Sequence, residues 1–325
     1  MADRTLTQQR VDAARAGNLG HRLVALAGDF SDRILARYRE QGYASIRPVH
    51  GALLRNLELE GTRLTTLAAR AGMTHRAMAK IVDDVAGLGF VARRPDPDDR
   101  RASCVHFTAR GIHLLRDSSD IIEHIYACYS QLVGAEQLEQ LENRLYQFLQ
   151  SLDIEVIHSG QQALHPVRPE NLRDASGAYL SHNLGRYLQL AGQDYHRRCA
   201  EAMARRGHPG IRFDHLAVLT HLQLQGMNLS ELAEGAGISL QAMGKQVRAV
   251  HRMGYISLRE GEDRRVREVH YSPRGLAFLD DLLAAFDELD TFYASQLGPR
   301  RLQWLQASLS RLIIALQLPV PARSF

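Results

Sequence analysis

The sequence predicts a mainly α-helical protein with small β-hairpins, built as two tandem domains in one chain of 325 residues. Three observations predict this class. Apolar residues recur at helical spacing over most of the length. Two short strand-like runs in each half flank a charged segment, RRPDPDDRRAS from Arg93 and LREGEDRRVRE from Leu258. The second half also overlays the first, which is the signature of a repeated unit.

The overlay places Gly20 on Gly185, Gly42 on Gly207, His50 on His215, Gly72 on Gly237 and Gly89 on Gly254, a shift of 165 residues. Lys80 and Lys245, the two lysines of the chain, fall on each other. Beyond the charged segment the shift is 164: Arg100-Arg101 meets Arg264-Arg265 and Gly111 meets Gly275. One residue is missing from the second segment, a change that exposed loop tips tolerate. The expected domains are 1–152 and 179–325, with a linker at 153–178.

Each copy begins with a long amphipathic helix, carried in the first by Leu23, Leu26, Phe30, Ile34 and Tyr38. A shorter helix is expected from Pro48 to about Leu57. LTTLAARAG follows as a short helix closed by Gly72 as a C-terminal cap. Thr74 is a good N-cap for the next helix, whose apolar stripe is Met78, Ile81, Val82, Val85 and Leu88 and which Gly89 ends. FVARR and ASCVHFT are the strands of a hairpin. A long helix from Gly111 to Val133 and a last one bearing Leu138, Leu141 and Leu145 complete the copy. The second copy repeats this order. Two helices joined by a tight glycine turn, then a hairpin, make a winged helix-turn-helix.

LTTLAARAGMTHRAMAKIVDDVAGLGFVARRPDPDDRRASCVHFTARG resembles the DNA-binding core of the MarR family of bacterial transcription regulators, in its PDPDDRR wing above all. The second copy is the weaker match, with REGEDRRVREVHYSPRG one residue shorter and lacking both prolines. The resemblance implies a sequence-specific regulator of transcription, a repressor that binds double-stranded DNA, with no cofactor. It implies flanking helices that dimerise. Because this chain holds both halves, it implies an intramolecular pseudo-dimer, with further dimerisation left open. It also implies a small aromatic effector held between the dimer helices and the DNA-binding lobe. Two independent domains on a tether, or a protein-interaction module whose winged helices no longer bind DNA, are the alternatives.

The apolar stripe of each second helix leaves Thr74, His75, Arg76, Ala79 and Lys80 facing outward in the first copy, and Ser239, Leu240, Gln241, Gly244 and Lys245 in the second. Major-groove readout uses residues at the start of such a helix. Arg76 suits guanine and Gln241 suits adenine. Lys80 and Lys245 suit phosphates, as do the helix N-termini capped by Thr74 and Ser239. In the wings, Arg94, Arg100, Arg101, Arg264 and Arg265 are the candidates for the minor groove or its phosphates. Asp99 and Asp263 are expected to orient the arginine forks.

Other classes find little support. The net charge of +4 permits a nucleic-acid partner without demanding one. Cys104, Cys128 and Cys199 form no CxxC pair and suit a reducing cytoplasm. Cys104 and Cys128 are expected in the core rather than as oxidation sensors. His182, Asp194 and His196 form no metal-binding spacing. No P-loop, HExxH, nucleophile elbow or dinucleotide fingerprint points to an enzyme. The polar start has no secretion signal and no apolar run matches a membrane span.

Overall fold

The computed structural model describes residues 7–96, 103–156, 182–211, 213–260 and 267–318. The first half holds α1 (Gln8–Gly17), α2 (Leu19–Glu40), a 3-10 turn (Pro48–His50), α3 (Gly51–Leu54), β1 (Thr62–Arg63), α4 (Leu64–Arg70), α5 (His75–Gly87), β2 (Val91–Pro95), β3 (Ser103–Phe107), α6 (Ala109–Val133) and α7 (Ala135–Ser151). The second holds α8 (Leu184–Arg205), α9 (Phe213–Leu219), β4 (Met227–Asn228), α10 (Leu229–Gly235), α11 (Leu240–Arg252), β5 (Ile256–Glu260), β6 (Arg267–Tyr271), α12 (Pro273–Leu297) and α13 (Pro299–Ala315). The fold is therefore mainly helical with small antiparallel sheets, consistent with a winged helix. The elements recur in register: α2, β1, α4, α5 and β2 begin 165 residues before α8, β4, α10, α11 and β5. The sheets share one strand order, β1-β3-β2 and β4-β6-β5.

Two features were invisible to the hydrophobic pattern. Among the described side chains of α1, Val11 is the buried aliphatic one. The strands β1 and β4 are two residues long, yet each adds a third strand to its hairpin, Thr62 opposite Val105 and Met227 opposite Val269. The helix expected from Pro48 to Leu57 is shorter. It stops at Leu54, where the Asn56 side chain donates to the Ala52 carbonyl at 2.8 Å and competes with the helical ladder.

The chain divides into two compact units, Leu26–Gln189 on the one hand and Met1–Ala25 with Leu190–Phe325 on the other. The cuts fall inside α2 and α8. In the unit of Leu26–Gln189, Phe30 meets Tyr129 edge to face at 6.0 Å, and the Tyr129 hydroxyl donates to Asp29 at 2.5 Å. Gly185 lies against Phe30 so closely that a Cβ there would come within 2.4 Å of the ring. In the other unit Tyr195 stacks on Tyr293 at 6.0 Å, and the Tyr293 hydroxyl donates to Asp194 at 3.0 Å. Gly20 lies against Tyr195 in the same way, with a Cβ at 2.1 Å. Among the described residues no helix is long and apolar enough to cross a membrane, and no group of three or more His, Cys, Asp or Glu could hold a metal ion.

Candidate nucleic-acid interface

The turn between α4 and α5 is built by Gly72, whose φ of +61° suits a residue without a Cβ. Gly72 N–H donates to Ala69 and Met73 N–H to Ala68, at 3.1 and 2.9 Å, the paired bonds that close a helix of this type. Thr74 then caps α5 by accepting from Ala77 N–H at 3.2 Å. Met78, Ile81, Val82 and Val85 are buried, which leaves Thr74, His75, Arg76 and Lys80 exposed along one face. In the second half Asn228 and Glu231 form a reciprocal capping box at the start of α10. Ser239 caps α11 by accepting from Ala242 N–H at 3.2 Å. Ser239, Leu240, Gln241 and Lys245 are exposed; Leu240 is 53% exposed, unusual for so apolar a side chain. Gly244 departs from expectation: it is buried, because Arg248 folds back across it at 3.5 Å from a Cβ position and Leu229 packs at 3.8 Å.

The hairpins follow each of these helices directly. Arg94 is exposed near the end of β2, opposite Cys104. The wing-tip residues Asp99, Arg100, Arg101, Asp263, Arg264 and Arg265 lie outside the described residues. Another aspartate of the same segment, Asp96, holds an arginine of β1 rather than one of the charged segment. Asp96, with a side chain only 3% exposed, accepts a fork from Arg63, Nε at 2.5 Å and Nη2 at 3.1 Å. This pair ties β1 to the end of β2. It joins residues 33 apart in sequence, so no local pattern announces it. Arg93 ties β2 to α5, donating to the Ala79 carbonyl at 2.9 Å and pairing with Asp83 at 2.7 Å.

A cavity of about 280 Å³ opens within the unit of Leu26–Gln189. Its floor is aliphatic and aromatic, including Ile34, Leu54 and Ile122, and its polar lining includes Arg47, Arg55, Arg186 and His182, with no carboxylate among the described residues. Ile34, expected in the core, is half-buried here. His182 stacks on Tyr126 at 3.5 Å and bonds Glu142 at 3.2 Å. Burial lowers the His182 pKa, but the hydrogen bond and charge of Glu142 outweigh it and hold the imidazole above its ordinary value. Arg186 donates to Asn56 at 2.8 Å. Cys104 is buried in β3 and burial pushes its thiol up. Cys128 is half-buried, with its sulfur 3.7 Å from His124 Nε2.

No protein-family model matches the chain, and no curated protein matches it. Among solved structures the chain is similar to a MarR-family transcriptional regulator from Rhodococcus sp. RHA1, at 19% identity and a TM-score of 0.33, over 41% of this chain and 93% of that one.

Proposed function

We propose that the protein is a sequence-specific DNA-binding regulator of transcription, a repressor that reads two unlike half-sites with its two winged-helix halves. The observation that carries this reading is the same exposed helix face built twice, Thr74-His75-Arg76 with Lys80 and Ser239-Leu240-Gln241 with Lys245, each next to a hairpin. Arg76 forks onto guanine, whereas Gln241 pairs with adenine and Leu240 meets the thymine methyl group. Arg94, Arg100, Arg101, Arg264 and Arg265 approach the minor groove or its phosphates, with Asp99 and Asp263 orienting them.

The chain is, in this reading, a duplicated domain that forms its own pseudo-dimer. Reciprocity supports it. Gly20 packs on Tyr195 and Gly185 packs on Phe30, the same contact with the copies exchanged, as an isologous pairing requires. Each compact unit accordingly contains one copy's body and the opening segment of the other. The cavity, with three arginines and a histidine above an aromatic and aliphatic floor, suits an aromatic effector that bears a negative charge.

Fluorescence anisotropy of the full chain on the DNA upstream of its own gene tests the reading. Salt-dependent binding that exceeds binding to an unrelated duplex supports it; equal binding to both, or none, refutes it. Release of that DNA by an aromatic carboxylate, and not by its neutral amide, is the expected effector response.

A further inference from the structure

The two recognition helices carry opposite electrostatic designs along one stripe. On an α-helix, positions i, i+4, i+7 and i+11 fall within a narrow face. On α11 that face is Gln241, Lys245, Arg248 and Arg252, with Lys245, Arg248 and Arg252 exposed and no acidic residue on the helix. On α5 the same positions are Arg76, Lys80, Asp83 and Gly87, and Asp84 adds a second carboxylate. The acids of α5 are engaged: Asp83 holds Arg93 of β2 at 2.7 Å and Asp84 holds Arg47 at 2.7 Å. In the second half both sides of the first pair are changed together. Arg248 replaces the aspartate and Leu258 replaces the wing arginine; Ala249 stands where Asp84 would be. The exchange removes an internal ion pair and leaves a bare cation on the outer face. Arg248 lies over Gly244, and a surface hollow beside it is lined by Ser239, Gln241, Ala242, Lys245 and Arg248.

From Lys245 to Arg252 the helix rises about 10 Å, enough to reach from one phosphate past its neighbour along a strand. A row of that length and charge fits successive backbone phosphates and carries no base information. We propose that the halves divide the work: α11 is the electrostatic anchor, supplying most of the phosphate contacts, while the near-neutral α5 supplies mainly base discrimination. The inference rests on the DNA-binding reading above. It assigns the anchoring role to the half whose wing, shorter and without prolines, resembles the family less.

The test uses the full chain and a 30-bp duplex of arbitrary sequence, with the anisotropy isotherm repeated between about 50 and 300 mM NaCl. Each phosphate contact contributes about 0.9 to the slope of log K against log salt. Lys245→Gln with Arg248→Gln is expected to lower the slope by about 1.8, and Arg76→Gln with Lys80→Gln by about half as much, through Lys80. Asp83→Arg, which places the second half's cation on α5 and releases Arg93, is expected to steepen the slope and tighten binding. Circular dichroism confirms that each variant is folded. Equal losses from the two pairs, or no gain from Asp83→Arg, overturn the division of labour while leaving DNA binding intact. A wild-type chain with no salt-dependent binding at all refutes the DNA-binding reading itself.

Discussion

Cutting the Arg63–Asp96 fork should loosen the first wing and leave the second untouched. The fork consists of two charge-assisted hydrogen bonds, at 2.5 and 3.1 Å. Bonds to charged groups contribute a net ~1.5–3 kcal/mol when buried. Here the Asp96 side chain is 3% exposed but that of Arg63 is 47% exposed, so water competes for one end and the expected contribution falls to about 1–2 kcal/mol. Asp96→Ala lets Arg63 turn into solvent, so its cost is that figure. Arg63→Ala removes the same fork and should cost a similar amount. Native-state hydrogen exchange reads both locally. Amide protection in the β1-β3-β2 sheet should fall about 5- to 30-fold in either variant. The β4-β6-β5 sheet is an internal control, because its counterpart of Arg63 is Asn228, occupied in capping α10. Equal loss in both sheets, or unchanged protection in both variants, would refute the wing-anchor account.

Four further outcomes are expected. Gly20→Ala drives a Cβ to 2.1 Å from the ring of Tyr195, whose hydroxyl is held by Asn18 Nδ2 at 2.6 Å; thermal melts should show a loss of about 1–3 kcal/mol, whereas Gly28→Ala, with open space at its Cβ, should stabilise α2 by about 0.5–1 kcal/mol. Burial raises the phenols of Tyr43 and Tyr187 to about 12 and those of Tyr126, Tyr129, Tyr195 and Tyr293 as well. Their contribution to stability is therefore whole below pH ~10 and lost as pH rises through 12, so phenolate absorbance at 295 nm should appear together with loss of helical dichroism; ionisation of all tyrosines near pH 10 in a folded chain would contradict this. Burial also lifts the Cys199 thiol to about 11 and raises Cys104, so alkylation of the native protein at pH 7.5 should spare both and reach Cys128 first, as peptide mapping will show. Finally, Ser118→Leu, which installs the residue of the equivalent second-half position, Leu282, should fill the cavity and abolish effector release of DNA without weakening DNA binding in its absence; normal release would remove the cavity from the account.

Much of the fold was legible because burial left a periodic trace. The stripes Met78-Ile81-Val82-Val85 and Leu138-Leu141-Leu145 are buried as their spacing predicts. Thr74, Gly72 and Ser239 cap as their chemistry predicts. What escaped was either too short or too distant. Two-residue strands have no period, and among its described side chains α1 buries one aliphatic residue. The Arg63–Asp96 fork and the cavity lining draw on residues far apart in the chain, so their partners are set by topology alone. Gly244 looked outward on a helical wheel; the wheel does not register that a long side chain one turn on can fold back over a glycine. The tips of the two charged segments, 97–102 and 261–266, lie outside the described residues.

Selection of bound duplexes from a random pool by the full chain tests the central claim most directly. The account predicts enrichment of two unlike half-sites about one helical turn apart, centre to centre, one containing guanine for Arg76 and the other A·T-rich for Gln241 and Leu240. A perfect palindrome read equally by both halves would contradict the division between α5 and α11, and a pool that shows no enrichment would contradict sequence-specific DNA binding.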